Sequence, residues 1–404
     1  MIEMNDMNDM IEKKILDFIE NNAAPLCMVA DDIFDHPEMG FEERYACGLL
    51  TGWLREHGWQ AETGTGGLET AFRAEYVSGS GKPVIGLLCE YDALKMGHAC
   101  GHHMQGPIML LAAQALRECL KDADYTLVVY GTPAEEGPQG KKRMIEGGSF
   151  TELDAALMTH AAPNTTVDVK SLAGTRFEVT FKGVAAHAAL TPELTRSAMD
   201  AMILAFQGVE FLRGHVKEDV KFYTSVNECS GTPNNQDETI ARATVSLRTY
   251  QAEDIPQLEE RLIKVFEGAA MMTETKVTVK KAQSTAGKLP SLTLNRLIMD
   301  NAEKLDAPQR LAYRERTGST DFAYVTQMMP AAVSRFAFVP EGSTSHSQTF
   351  LDYGKTDAAH EGVCMGAKII ALTALDLITK PEALREAQEE YAARKAGKAW
   401  PAKA

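Results

Sequence analysis

The sequence predicts an α/β protein: a mostly parallel sheet with helices on both faces, interrupted by a small inserted domain of βαββαβ order. Three observations predict it. Fully apolar runs alternate with helical stretches over the first 170 residues, the pattern of parallel strands buried on both faces. After Lys170 the strands change to period-two alternation, which marks half-exposed strands. The first style resumes after about Leu292, so the middle segment reads as an insertion.

Stretches from about Ile11 to Glu20 and from Glu43 to His57 read as helices, the second stopped by Gly58 as a C′ glycine. VIGLLC (Val84–Cys89), YTLVVYG (Tyr125–Gly131) and DAALMTH (Asp154–His160) read as buried strands. An Ala-, Leu- and Met-rich helix from Pro107 to Leu120 joins the first two. In the insertion, strand Thr175–Val184, helix Arg196 to Leu212, strands Lys221–Cys229 and Thr239–Tyr250, helix Pro256 to Ala269 and strand Lys276–Ala282 follow in turn. That order gives a two-layer sandwich with an antiparallel sheet. SRFAFV (Ser334–Val339) returns to the buried style, and the charged, Ala-rich C-terminus reads as a surface helix with a frayed end. The expected domains are 1–170 with 285–404, and 171–284.

A chain of 404 residues exceeds one typical core. Its net charge of −15 argues against a nucleic-acid partner and against an anionic membrane surface. Seven scattered cysteines have no framework spacing, which favours a reducing cytoplasm over a disulfide scaffold. The N-terminus lacks a basic region followed by an apolar run, so no secretory signal is expected, and no apolar run is expected to reach membrane-span length.

Ligands of open α/β sheets bind beyond the carboxyl ends of the strands. After VIGLLC come Asp92 and the stretch GHACGHHMQG; after YTLVVY comes GTPAEEG with Glu135 and Glu136; DAALMTH ends on His160; after SRFAFV comes a Ser/Thr-rich loop with His346. Imidazole, thiolate and carboxylate suit zinc, and imidazole with carboxylate suits manganese. Cys100, His102, Glu136, His160 and His346 make five candidate ligands. A closed structural zinc needs four, so five with a spare Glu fit two metals, or one metal with open positions. One of the adjacent Glu135 and Glu136 would bind metal while the other serves as general base. Taken singly, Cys100 reads as a small buried hydrophobe and His160 as a core histidine. Asp92 is either a turn residue or the group that orients a metal-bound His. His98 and His103 read as supporting or surface residues.

The motifs GHACGHH, GTPAEEG…GK…MIEGG, MTHAAP, KGVAAHAA, GSTDFA and SHS…F resemble the M20 family of metallopeptidases and amidohydrolases over nearly the whole chain. The branch resembled holds aminoacylase-like enzymes, p-aminobenzoyl-glutamate hydrolase subunits and Xaa-Arg or β-alanyl-lysine dipeptidase-like proteins. The resemblance implies a zinc-peptidase-like catalytic domain and a ferredoxin-like lid domain through which a homodimer forms. It implies two divalent metal ions per protomer, usually zinc, with manganese, cobalt or nickel in some members. It places the ligands on Cys100, His102, Glu136, His160 and His346, the general base on Glu135 and the supporting aspartate on Asp92. It also assigns His187 to the oxyanion of the partner's site, and Asn235 and Arg248 to substrate, Arg248 gripping a carboxylate. His103, Lys95 and the lid turn GTPNNQDE depart from the family pattern, and Asn234 competes with Asn235.

The expected function is metal-dependent hydrolysis of an amide bond in a small carboxylate-bearing substrate: a dipeptide, an N-acyl amino acid or an aroyl-glutamate. A metal-activated water attacks, with Glu135 as base. The rivals are a hydrolytic deaminase using the same centre, which would release ammonia, and a non-catalytic binding member, against which the intact Glu135 argues. A structural-zinc protein would lack an open coordination site.

Overall fold

The computed structural model describes residues 2–187, 190–230 and 238–398. They form two compact units, Met1–Lys170 with Lys288–Ala404, and Ser171–Gly287.

The strands of the first unit are β1 (Gln60–Thr63), β2 (Phe72–Ser78), β3 (Val84–Cys89), β4 (Tyr125–Gly131), β5 (Ala155–Ala162), β6 (Thr166–Ser171), β11 (Arg314–Thr317) and β12 (Ala331–Ala337). Among the described residues they form one sheet in the order β1-β2-β4-β3-β5-β12-β6-β11. The centre, β4-β3-β5-β12, is parallel, as the apolar runs predict. Every residue of β3 and β4 is buried. The flanks are not legible in the sequence: β2 pairs antiparallel with β4 and with β1, and β6 returns antiparallel on β12.

The helices of this unit are α1 (Ile2–Asp35), α2 (Arg44–Glu56), α3 (Gln105–Cys119), α4 (Gly140–Glu146), α7 (Leu292–Lys304), α8 (Phe322–Thr326), α9 (Gln348–Tyr353), α10 (Asp357–Thr379) and α11 (Pro381–Lys395). Alternate strand residues divide the core. Ile85, Leu87, Leu127 and Leu157 join Ile19 of α1, Ile108 of α3 and Ile370 of α10. Leu88, Val128 and Met158 face Met144 of α4, Phe150 and Phe322 of α8.

Two expectations need correction. Helix α1 runs well beyond Ile11–Glu20, because Ile15, Ile19, Leu26, Ala30 and Ile33 continue one buried face past Pro25. Helix α10 is long and apolar enough to cross a bilayer by length and composition, yet it is mostly buried, as a core helix is. Helix α11 lies at the surface, as expected, and is docked by one face: Ala383, Ala387 and Glu390 are buried. The Glu390 carboxylate accepts from the backbone N–H groups of Leu292 (2.9 Å) and Thr293 (2.8 Å), satisfying free donors at the start of α7.

The second unit contains β7 (Ala173–Val184), α5 (Ala198–Arg213), β8 (Lys221–Ser230), β9 (Glu238–Thr249), α6 (Ile255–Met272) and β10 (Lys276–Thr285). Its sheet is antiparallel in the order β10-β7-β9-β8, the ferredoxin-like arrangement. Phe177, Val179 and Phe181 of β7 alternate with exposed or half-buried residues and pack on Ala205 of α5 and Phe266 of α6.

Candidate metal centre

Glu90 and Asp92 follow β3 directly, and the chain then folds back through reciprocal Leu94–Gly97 backbone bonds. Between Cys100 and His102, Gly101 takes φ +81°, and a Cβ there would lie 2.4 Å from the Ala161 Cβ. Only glycine meets both conditions, so this residue lets thiol and imidazole face one cluster. Ala134, just before Glu135, takes φ 61°, as does His346. Non-glycine residues in this region concentrate at functional sites. Ala134 is held there by a buried Glu43 carboxylate, which accepts from its N–H at 2.8 Å. Burial pushes the Glu43 carboxyl up to about 7.

Ligand atoms of Cys100, His102 and His160 lie within 4.8 Å of one another, as do those of Cys100, Glu136 and His346. Cys100 belongs to both groups. Its Sγ is 3.6 Å from His160 Nε2, and His346 Nε2 is 3.1 Å from Glu136 Oε1. Glu135 stands in two further groups: its carboxylate lies within 4.8 Å of ligand atoms of His102 and Glu136, and of Glu90 and Asp321. His160 sits within β5 rather than after it, paired in register with Arg335 of β12. His346 is placed by its backbone N–H, which donates to the Ala99 carbonyl at 2.8 Å.

Asp92 orients this cluster. Its Oδ1 lies 3.2 Å from His102 Nδ1 and its Oδ2 accepts from Glu136 N at 2.9 Å. With Nδ1 so engaged, His102 Nε2 is buried without a hydrogen-bond partner; its nearest carboxylate oxygen is Glu90 Oε2 at 3.4 Å. A buried imidazole nitrogen with a free lone pair and a carboxylate behind its ring is what a metal-binding His needs. The charges agree. Glu90 and Asp321 share one buried ammonium, Lys141, and the Glu135 carboxylate lies within 4.8 Å of both. Burial, then Glu90 and Asp321, hold the Glu135 carboxyl well above the ordinary range, and burial pushes the Cys100 thiol up to about 12. Burial and the Arg335 guanidinium push His160 down to about 3, keeping it neutral. Thiol, neutral imidazole and carboxylate groups gathered together fit divalent transition ions.

Several contacts around the site are not legible in the sequence. Lys141 Nζ donates to Glu90 Oε1 (2.6 Å) and Asp321 Oδ1 (2.7 Å), all three being buried. Arg335 donates to the buried Asp168 and its Nη1 is 3.1 Å from His160 Nδ1. The signal available is a single charge in each of two strand-like stretches, Asp168 in TVDV and Arg335 in SRFA. His98 and His103 are buried, not surface, residues. His103 Nε2 is 2.8 Å from the Gly354 carbonyl and its ring packs edge-on against Phe34, which makes it a structural residue. His187, exposed, and Arg248, beside Gly174 on β7, belong to the second unit. Asn235 and Asn234 lie outside the described residues.

A parallel-centred sheet with thiol, imidazole and carboxylate groups gathered beyond its strands defines, as a class, an α/β enzyme with a transition-metal donor set. The model of peptidase family M20/M25/M40 matches residues 90–370, and the chain belongs to that family of peptidases and amidohydrolases. It is 29% identical over 457 aligned positions to one of the subunits of the p-aminobenzoyl-glutamate hydrolase of Escherichia coli (strain K12), covering 94% of this chain and 95% of that one. It is 28% identical over 401 positions to the Xaa-Arg dipeptidase of Mus musculus, covering 95% and 92%. Its fold matches a dinuclear metal-binding peptidase of the M20 family from Bacillus subtilis, with TM-score 0.69 and 20% identity over 88% of this chain and 98% of that one.

Proposed function

We propose that the protein hydrolyses an amide bond in a small carboxylate-bearing substrate: a dipeptide, an N-acyl amino acid or an aroyl-glutamate. The observation that carries this reading is the sharing of Cys100 by two donor groups, neither of which includes Glu135. Cys100, His102 and His160 would hold one divalent ion, and Cys100, Glu136 and His346 the other; zinc suits the thiolate, and manganese, cobalt or nickel suit the rest. When bound, the ions supply Lewis acidity that polarises the amide carbonyl and acidifies water. Asp92 fixes the His102 ring. Glu135 takes the proton of the attacking water and returns it to the leaving amine. Arg248 holds a substrate carboxylate, and His187 of one protomer stabilises the oxyanion in its partner. A cytoplasmic location fits the seven free cysteines.

The test is purified protein loaded with zinc or manganese and assayed on dipeptides, N-acyl amino acids and p-aminobenzoyl-glutamate. The expected result is chelator-sensitive release of a free amine from at least one class. Turnover unaffected by a chelator would refute the metal-dependent reading.

The homodimer in this reading is supported by the insertion's outer face. Met199, Ile203 and Phe211 of α5 are exposed, as are Tyr223 and Val226 of β8, the edge strand. Cys229 Sγ of β8 is 3.4 Å from Met199 Sδ, so α5 runs beside this edge strand, and exposed apolar side chains on both are of the kind that marks an interface. In sedimentation, the wild type is expected to run as a dimer and Ile203→Glu with Phe211→Glu as a monomer. A monomeric wild type would remove this part of the reading.

A further inference from the structure

A cavity of about 460 Å³ opens in the first unit. At one end it is lined by Cys100, Glu135, Glu136, His160 and His346; elsewhere its wall carries Lys288, Arg314 and Arg335. The three cations share one buried carboxylate. Asp168 accepts from Arg335 Nε (2.9 Å) and Nη2 (2.8 Å) and from Lys288 Nζ (2.9 Å). Arg314 Nε reaches Asp168 Oδ1 only at 3.7 Å, beyond hydrogen-bond length. Arg335 and Lys288 are hydrogen-bonded to this carboxylate and Arg314 is not.

The three cations are not equivalent. The Lys288 side chain is 5% exposed and that of Arg335 is 14% exposed, whereas Arg314 keeps 34% of its side-chain surface. Arg335 and Lys288 are engaged by Asp168; Arg314 is the least engaged of them and the most open to the cavity. Burial, then the like charge of Arg335, lower the Arg314 guanidinium from its ordinary value, as expected for a cation crowded by cations. Arg335 links this wall to the donor cluster through His160 Nδ1 at 3.1 Å. One cavity is therefore lined by Cys100, Glu136, His160 and His346 of the donor set and, beside them, by a guanidinium that approaches Asp168 only to 3.7 Å.

We propose that Arg314 is an anion-recognising residue of the catalytic unit: it receives a carboxylate carried by the substrate fragment that occupies this cavity. The proposal rests on the hydrolase reading above and deepens it. Arg248 holds one carboxylate in that reading, so the substrate class selected by both arginines is an amide bearing two anionic groups. A guanidinium takes a carboxylate through two parallel N–H···O bonds, and the like charge of neighbouring Arg335 favours an anion beside Arg314.

The test uses the zinc-loaded full-length protein and calorimetric binding of two probes of one shape, glutarate and its monoamide. Wild type is expected to favour glutarate. Arg314→Met is expected to weaken glutarate about ten- to a hundredfold, and to leave the monoamide nearly unchanged. Arg314→Lys restores part of the preference, because charge returns without the planar fork. The thermal midpoint of Arg314→Met should equal or exceed wild type, since a crowded cation is removed. A wild type that does not distinguish the probes overturns the proposal, as does a folded Arg314→Met that distinguishes them as wild type does. Binding needs no turnover, so a protein that hydrolyses nothing but loses the preference in Arg314→Met keeps the subsite and loses the hydrolase reading. Intact hydrolysis with an unchanged preference does the reverse.

Discussion

Glu135→Gln is expected to lower kcat by about a hundred- to ten-thousandfold, with KM and metal content little changed. Gln has the shape of Glu and keeps an acceptor oxygen, but it cannot take the proton of the attacking water. Neighbouring Glu136 provides the contrast. Its carboxylate lies in one group with Cys100 and His346, so Glu136→Gln should reduce bound metal first and activity in consequence. Steady-state kinetics with metal analysis on the same samples separates the two. Wild-type kcat in Glu135→Gln would remove this residue from the chemistry.

Lys141→Met is expected to destabilise the first unit by about 3–5 kcal/mol, the usual loss when one partner of a buried ion pair is removed. The ammonium is buried between Glu90 and Asp321, and its own backbone N–H donates to Asp321 Oδ2 at 2.9 Å. Without it two buried carboxylates are left near a third, Glu135. The loss should be largely recovered in Lys141→Met combined with Glu90→Gln and Asp321→Asn, because the uncompensated charges go with their partner. Scanning calorimetry of the three proteins decides it. A single variant as stable as wild type would mean that the ammonium does not hold the carboxylates together.

What the sequence shows and what it hides follow from the range of each interaction. The centre of the sheet is legible because β3 and β4 are buried on both faces and so are written as unbroken apolar runs. Strands β6 and β11 are not, because TVDVKS and RERT carry charge and resemble loop. Helix α1 is longer than its sequence pattern suggests, because polar residues and Pro25 obscure a buried face that only its partners reveal. At the site, Cys100, His102, Glu135 and Glu136 stand in short motifs whose spacing already suggests metal chemistry. Lys141 and Asp321 are 180 residues apart, and Asp168 and Arg335 are 167 apart. Lys141 and Asp321 stand in the GK and GSTDFA motifs of the resemblance, but no local pattern announces that they pair, and Asp168 and Arg335 stand in no motif. His103 departs from the family pattern, and the Phe34 ring and the Gly354 carbonyl explain it.

The most direct measurement is the metal content of the protein after loading with zinc and removal of free ions, for wild type, His346→Ala and Cys100→Ser. Cys100 stands in both donor groups and His346 in one. Wild type should hold two ions per chain, His346→Ala one, and Cys100→Ser fewer than either, with all three folded. A folded wild type that binds one ion or none, or a Cys100→Ser protein that keeps both, would contradict a two-ion centre built around Cys100.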